Sequence, residues 1–289
     1  MSDIPPFQSE PERTFRNSKL SGRDAWLLEQ WKELVAAIRF LSILPIPGAT
    51  QLFRTDASEA DGRIFSGSVY FSLVGLLLAV LLWLVALIFG SIVSGLVVAA
   101  LLVVALIILT GGLHLDGLMD CCDGLFGGRS REEKLEIMRD SRVGSFGVLG
   151  GVSILLLKFA LLASLDTHQL PLALLMILPL ARWNMVLAMY AYPGARSGGL
   201  GMAFRQTVTR NRVIYASILT LVITLIIAVL AGHIILGLIL FVCGALLTWI
   251  IGEYVTSALG GLTGDSYGAL TEISEVVLLL LFVLLHVWL

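Results

Sequence analysis

The chain has 289 residues, of which 57% are hydrophobic and only 14% are charged, and its mean hydropathy is +0.93. This composition excludes a soluble domain, which would need more charge to cover its surface, and is typical of a polytopic α-helical membrane protein. An outer-membrane barrel is excluded as well, because alternating ten-residue segments do not occur. The formal net charge is −2, and we expect no nucleic-acid partner.

The chain begins with a polar stretch that lacks the pattern of a cleaved signal peptide. We expect residues 1–25 to be a disordered extension. The following segment, WLLEQWKELVAAIRFLSIL at 26–44, mixes apolar residues with Lys32, Glu33 and Arg39. This pattern predicts an amphipathic helix that lies in the membrane interface. Residues 26–289 are then a single membrane-embedded domain.

The apolar segments are long enough to cross a bilayer, which takes about 20 residues. They predict an all-α protein with about seven transmembrane helices, or six if one segment only dips into the membrane. The predicted spans are 67–89, 92–111, 146–165, 170–191, 213–231, 234–251 and 268–289.

The 19 Lys and Arg residues are distributed unevenly along the chain. Eight precede residue 64, five lie in 112–145 and four lie in 192–212, whereas the connections at 90–91, 166–169 and 231–233 contain none. With seven spans, the three segments that are rich in Lys and Arg lie on the same side of the membrane. The positive-inside rule makes that side the cytoplasm, so we expect a multi-pass protein of the bacterial inner membrane whose polar segments face the cell interior.

Three aspartates follow an uncharged run, in GGLHLDGLMDCCDG at 111–124. In a helix that continues past the glycines, Asp116, Asp120 and Asp123 project within about 60° of one another. Their mutual repulsion would be relieved by a divalent cation, and oxygen ligands favour Mg²⁺ or Mn²⁺ over zinc. We therefore predict a metal site, against the alternative of a solvated helix end. His114 is either a hydrogen-bonding partner of this site or an interface residue.

The next segment, LFGGRSREEKLEIMRDSRVGSFG, predicts a short charged helix between glycine turns, with a capping box at Ser130 and Glu133. Cations gather here beside the acids, and guanidinium groups match phosphate oxygens. The positive-inside bias alone would also place cations here, but it does not explain the turn that begins at Asp140. The candidate phosphate-binding residues are Arg129, Arg131, Arg139 and Arg142, and Asp140 is a further candidate substrate-binding residue.

Two cations lie inside predicted spans, where charged residues are costly and often functional. Snorkelling or a buried ion pair is the alternative. We favour a structural role for Lys158 and a functional role for Arg182. Acids at a membrane edge with a divalent ion and basic neighbours point to phosphoryl or phosphodiester transfer.

The run GGLHLDGLMDCCDGLFGGRSREEKLEIMRDSRVGSFG resembles the signature of the cobalamin-5′-phosphate synthase family, also called adenosylcobinamide-GDP ribazoletransferase. RFLSILPIP, YPGARSGGLG and GGLTGDSYGALTEISE also resemble motifs of that family, as does Arg182 in its position. The likeness extends over most of the chain.

This resemblance implies a Mg²⁺-dependent integral membrane enzyme that joins α-ribazole, or its 5′-phosphate, to adenosylcobinamide-GDP and releases GMP. It implies that Asp116, Asp120 and Asp123 form the acidic metal motif. Asp265 matches an acidic position of the C-terminal signature, as general base or second metal ligand, and Glu272 and Glu275 match two glutamates after it. We predict that His114, Arg182, Glu272 and Glu275 are substrate-binding residues. We expect small-molecule substrates and contact with membrane lipid, and a homo-oligomer is left open.

Two other classes are considered. A CDP-alcohol phosphotransferase shares aspartates, Mg²⁺ and a nucleotide leaving group, but its motif matches only in part. A cation or metabolite transporter would need acids near mid-membrane and an opening on the far side. The aspartates instead follow the end of a predicted span, and the far connections are nearly featureless.

Overall fold

The computed structural model describes residues 22–46, 67–196 and 205–286. These residues form helices and no strand, which confirms the all-α class. The helices are α1 Gly22–Leu41, α2 Phe71–Phe89, α3 Gly95–Thr110, α4 Leu113–Gly127, α5 Arg131–Ile137, α6 Ser145–Ala163, α7 Gln169–Ala191, α8 Arg210–Ala231, α9 Ile234–Leu259 and α10 Gly264–His286.

The N-terminal prediction needs a correction. Residues 1–21 lie outside the described part of the chain, but α1 begins at Gly22. The prediction of disorder is therefore wrong for residues 22–25, where Asp24 supplies an acid to the first helical turn. On this helix Trp26 and Trp31 are exposed, whereas Val35 and Leu41 are buried, so the C-terminal half of α1 packs against the bundle.

Six helices of the described residues are long and apolar enough to cross a membrane. They are α2 with its preceding turn (Ser68–Phe89), α6, α7, α8, α9 and α10. Helices α3 and α4 pass the same test only together and are bent by 90°. The bend lies at Gly111 and Gly112, whose φ values of 63° and 72° are in the left-handed region that glycine adopts readily. The described residues therefore contain six candidate spans, or seven if the bent pair is one span.

Helix α7 occupies the centre of the bundle and packs against α2, α8, α9 and α10. Its contact with α2 is close, because a Cβ on Gly75 would lie 2.5 Å from the carbonyl oxygen of Leu178. Such small-residue contacts are how membrane helices bring their backbones together. The buried residues of α7 include Arg182 and Asn184 as well as its apolar side chains. The centre of the bundle is therefore partly polar.

Most polar segments meet at one end of the bundle, which we name the polar end. It comprises α4, α5, the N-termini of α6, α8 and α10, and the C-termini of α3, α7 and α9. The hydrogen bond from Arg131 Nε to the Leu259 carbonyl, 2.7 Å long, joins α5 to α9 at this end, and the ion pair of Glu33 with Arg212, 2.6 Å long, joins α1 to the start of α8. At the opposite end a cavity is lined by Gly90, Gly95 and Asp166 among others.

Candidate active site

The site is built on a glycine-mediated contact between α4 and α10. A Cβ on Gly117 would lie 2.8 Å from the Asp265 carbonyl oxygen, and a Cβ on Gly268 would lie 3.0 Å from the His114 carbonyl oxygen. Any larger side chain would push the helices apart. A close approach of two backbones thus occurs at Gly117, and it places Asp265 against the helix that carries the aspartates.

Three carboxylates share this corner of the polar end. Asp116 is exposed and Asp120 is half-buried on α4, and Asp265 is half-buried in the first turn of α10. Asp120 lies within electrostatic range of Asp116, Asp123 and Asp265. Within the described ranges no ion pair involves Asp116 or Asp120. Like charges this close repel, so the fold maintains an excess of negative charge at this place.

Asp123, the third predicted metal ligand, is buried and has a structural use. One of its carboxylate oxygens accepts the Gly144 N–H at 2.7 Å and the other accepts the Gly147 N–H at 2.8 Å. These groups are orphan donors at the start of α6, where an anion also interacts favourably with the helix dipole. Asp123 therefore ties α4 to the N-terminus of α6, and its metal role remains a prediction.

The described residues contain no group of three or more His, Cys, Asp or Glu side chains placed to hold a metal ion. This does not exclude Mg²⁺, which usually keeps several waters and binds through one or two carboxylates together with substrate phosphates. Asp116 and Asp120 form no ion pair within the described residues and offer hard oxygen donors, so they fit that ion. The fit covers two of the three predicted ligands, with a substrate expected to supply further oxygens.

The predicted phosphate-binding arginines form no contact with Asp116, Asp120 or Asp265 in the described structure. Arg131 holds the C-terminus of α9 through Leu259, while Arg142 donates to both carboxylate oxygens of Asp140, the shortest distance being 2.7 Å. Hydrogen bonds from Arg142 hold the pKa of Asp140 at about 2. Arg129 and Arg139 are exposed. Their substrate contacts remain predictions.

Ser130 accepts the Glu133 N–H at 3.1 Å and thereby caps α5, as predicted. Glu133 Oε2 in turn accepts the N–H of Arg129 at 2.8 Å, one residue before the cap. The capping pair therefore fixes the start of α5 next to the glycine turn.

Sequence reasoning missed one cation at the site, Arg196. Its Nη1 lies 3.2 Å from Asp265 Oδ2, and it lies within electrostatic range of Asp120. Its position inside YPGARSGGLG could have indicated a role at the site, but this motif was used only as evidence of the family resemblance. Segment 192–212 carries four cations, and the positive-inside bias explains all of them together. Arg196 was therefore not singled out as a site residue.

Arg182, Glu272 and Glu275, all predicted to bind substrate, lie deeper in the bundle. Lys158 Nζ contacts Glu272 Oε2 at 2.6 Å and Glu275 Oε2 at 2.5 Å, and Arg182 Nη1 pairs with Glu275 Oε1. We name these four residues the buried ion cluster. Its two cations balance its two anions. The buried-ion-pair alternative for Lys158 is thus confirmed, and the same cluster holds Arg182.

His114 lies on α4 on the side of the buried ion cluster. It is 1% exposed, and in the described residues neither ring nitrogen has a hydrogen-bond partner. Arg182, Glu275 and Lys158 lie within electrostatic range of the ring. His114 is therefore neither an interface residue nor hydrogen-bonded to the acids, and its substrate contact remains a prediction.

Comparison with known proteins decides the family. The family model described as cobalamin-5-phosphate synthase matches residues 33–283. The chain belongs to this family.

Among its relatives, the adenosylcobinamide-GDP ribazoletransferase of Roseiflexus sp. (strain RS-1) is 41% identical over 243 residues, which cover 84% of this chain and 86% of the relative. The protein of that name from Desulforamulus reducens is 40% identical over 256 residues, 88% of this chain and 97% of the relative. No solved structure matches the chain.

Membership of the cobalamin-5-phosphate synthase family confirms the family predicted from the motifs. Together with the apolar helices it makes the protein a multi-pass membrane transferase of cobalamin biosynthesis. The match begins at residue 33, within α1, and ends within α10. It therefore includes every member of the buried ion cluster, and it includes Asp116, Asp120 and Asp265, which we name the acidic corner.

Proposed function

We propose that the protein joins α-ribazole, or its 5′-phosphate, to adenosylcobinamide-GDP, forming adenosylcobalamin, or its 5′-phosphate, and GMP. The observation that carries this proposal is the family match over residues 33–283, with relatives named for that transfer. The acidic corner at Asp116, Asp120 and Asp265 supports a phosphate-centred reaction, because packing gives no reason to gather three carboxylates there, of which only Asp265 forms an ion pair within the described residues.

The reaction exchanges one phosphate bond for another. A hydroxyl oxygen of α-ribazole attacks the phosphorus esterified to the aminopropanol arm of the corrinoid, and a new phosphodiester bond forms. The bond between that phosphorus and the bridging oxygen of the diphosphate breaks, and GMP leaves with the electron pair. Asp265 is the carboxylate proposed to accept the hydroxyl proton.

Asp116 and Asp120 are proposed to hold Mg²⁺, with Asp123 fixing the helix that presents them. When bound, Mg²⁺ neutralises charge that develops on the diphosphate oxygens. The contact of α4 and α10 at Gly117 keeps Asp265 within electrostatic range of Asp116 and Asp120, and we propose that these three carboxylates face one substrate.

The test supplies the purified protein, in lipid nanodiscs, with adenosylcobinamide-GDP, α-ribazole and Mg²⁺. We expect GMP and adenosylcobalamin in equal amounts, resolved by chromatography, and no GMP when Mg²⁺ is chelated. A parallel reaction with a CDP-activated lipid and an alcohol tests the CDP-alcohol alternative and should release no CMP. Absence of GMP under all metal conditions would refute the proposed transfer.

We also propose that the polar end faces the cytoplasm of a bacterial inner membrane. Of the 19 Lys and Arg residues, 17 belong to the three segments assigned to that side, whereas the connection at 166–169 contains none. The positive-inside bias therefore favours one orientation strongly.

Alkaline phosphatase fused after Asp166 is expected to be active, since that enzyme folds only outside the cytoplasm. The matched fusion after Gly128, at the polar end, should be inactive at equal expression. Fluorescent-protein fusions at the same two points should give the inverse pattern. Activity at Gly128 with silence at Asp166 would reverse the orientation.

A further inference from the structure

Arg196 is held at the acidic corner by its backbone. The Ala195 N–H donates to the Leu262 carbonyl and the Leu262 N–H donates to the Pro193 carbonyl, both at 2.8 Å. The two backbone segments approach so closely that a Cβ on Gly261 would lie 2.6 Å from the Pro193 carbonyl oxygen. Because Leu262 lies two residues before α10, this bridge keeps Arg196 beside Asp265.

The guanidinium group of Arg196 is only partly used. Nη1 donates to Asp265 at 3.2 Å and Nη2 donates to the Leu135 carbonyl at 3.1 Å. Nε is buried and has no partner in the described residues. A guanidinium carries five N–H donors and binds best in two parallel hydrogen bonds. Nη1 and Nη2 each carry a second N–H beyond these contacts, so donors other than the buried Nε remain for a second anion.

The charge at this corner requires such a cation. A diphosphate that approaches Asp116, Asp120 and Asp265 meets three negative groups, and a single divalent ion offsets only part of the repulsion. Of the five arginines considered, Arg129, Arg131, Arg139 and Arg142 form no contact with these acids within the described residues, whereas Arg196 pairs with one of them. Its side chain is 18% exposed, so a ligand can reach it.

We propose that Arg196 is the binding residue for the diphosphate of the GDP-bearing substrate. In the free protein it pairs with Asp265, and on binding it transfers donors to the phosphate oxygens. Leu135 and the bridge at Leu262 keep the guanidinium in place during the exchange. The inference rests on the proposed function of this site and identifies its nucleoside-diphosphate-binding group.

The experiment measures binding without turnover, using GDP and adenosylcobinamide-GDP in the absence of α-ribazole. Arg196→Ala should weaken both by about 10- to 100-fold, since a hydrogen bond to a charged group contributes about 1.5–3 kcal/mol. Arg196→Lys should recover part of the affinity but not all, because an ammonium lacks the guanidinium fork. In steady state the loss should appear mainly as a higher KM for the GDP substrate.

Two controls separate binding from structure. Arg210→Ala removes an exposed cation at the start of α8 and should leave both affinities unchanged. If Arg196 only neutralised Asp265, then Asp265→Asn in the Arg196→Ala background would restore affinity, and our proposal predicts that it does not. Thermal unfolding identifies any variant that fails to fold, in which case Arg196→Lys provides the comparison.

Unchanged GDP affinity in folded Arg196→Ala, or its recovery in the double variant, would overturn the inference. Failure of the proposed function is distinguishable, because it appears as a wild-type protein that binds GDP through Arg196 yet releases no GMP in the transfer assay.

Discussion

Replacing Asp120 with Asn is expected to abolish GMP release while leaving the fold at least as stable as before. Asp120 is half-buried among Asp116, Asp123 and Asp265, and no cation forms an ion pair with it in the described structure. The amide keeps the shape of the side chain and removes a repelling charge. A group kept for function at a cost in stability should behave in this way.

The magnitude follows from the role proposed for the carboxylate. Loss of one group that stabilises charge on a phosphate costs about 10²–10³-fold in turnover, so GMP release should fall by at least about 100-fold at saturating Mg²⁺. Chromatographic assay of GMP gives the rate, and thermal unfolding in the same nanodiscs gives the stability. Glu136→Gln, the same change at an exposed acid of α5, should leave both unchanged.

Asp123→Asn provides the opposite pattern and sharpens the assignment. Both oxygens of Asp123 accept backbone N–H groups, and an amide would turn a donor toward one of them. An unsatisfied buried donor costs about 1–3 kcal/mol, so this variant should unfold at a lower temperature. Full turnover in Asp120→Asn, or a stability loss there as large as in Asp123→Asn, would contradict the metal role of Asp120.

The positions of the helices can largely be predicted from the local sequence, whereas the bends and turns that connect them cannot. Hydropathy predicted the ends of most spans within a few residues, because the cost of exposing a polar backbone in lipid acts on each segment separately. Helix α9 runs to Leu259 rather than 251, since Glu253 and the polar residues after it end the apolar run but not the helix. The bend at Gly111 and Gly112 was not predicted, because glycine permits a turn and a close approach equally.

Partners across the chain could not be predicted from the sequence. The contact between Lys158 and Glu272 joins residues 114 positions apart, and that between Arg196 and Asp265 joins residues 69 apart. A charge pattern shows that a buried cation needs an anion, but only the packing of helices selects which one. Helical spacing likewise predicted that Asp123 lies on the same face as Asp116 and Asp120. It could not show that both oxygens of Asp123 accept N–H groups at the start of α6.

The buried ion cluster gives the second large prediction. Glu275 is 3% exposed and contacts both Lys158 and Arg182. The cavity that Lys158 and Glu275 help to line is about 20 Å³, room for about one water molecule. A substrate group does not fit there. This geometry favours a structural role over the substrate contact predicted for Glu275.

Glu275→Gln is therefore expected to lower the free energy of unfolding by about 3–5 kcal/mol, as when one partner of a buried pair is removed. The cause is charge imbalance, since Lys158 and Arg182 would then face Glu272 alone. Reversible denaturation in mixed micelles measures the change. GMP release per folded molecule should be retained, whereas a substrate-binding role would reduce it.

Restoring neutrality tests that cause directly. In the double variant Glu275→Gln with Lys158→Met, Arg182 and Glu272 remain as one cation and one anion, and they lie within electrostatic range of each other. Replacing a buried ion by an apolar side chain of similar length is often tolerated. The double variant should therefore be more stable than Glu275→Gln alone, although it carries two substitutions. If it is less stable, the individual hydrogen bonds of Lys158 rather than the balance of charge hold these helices together.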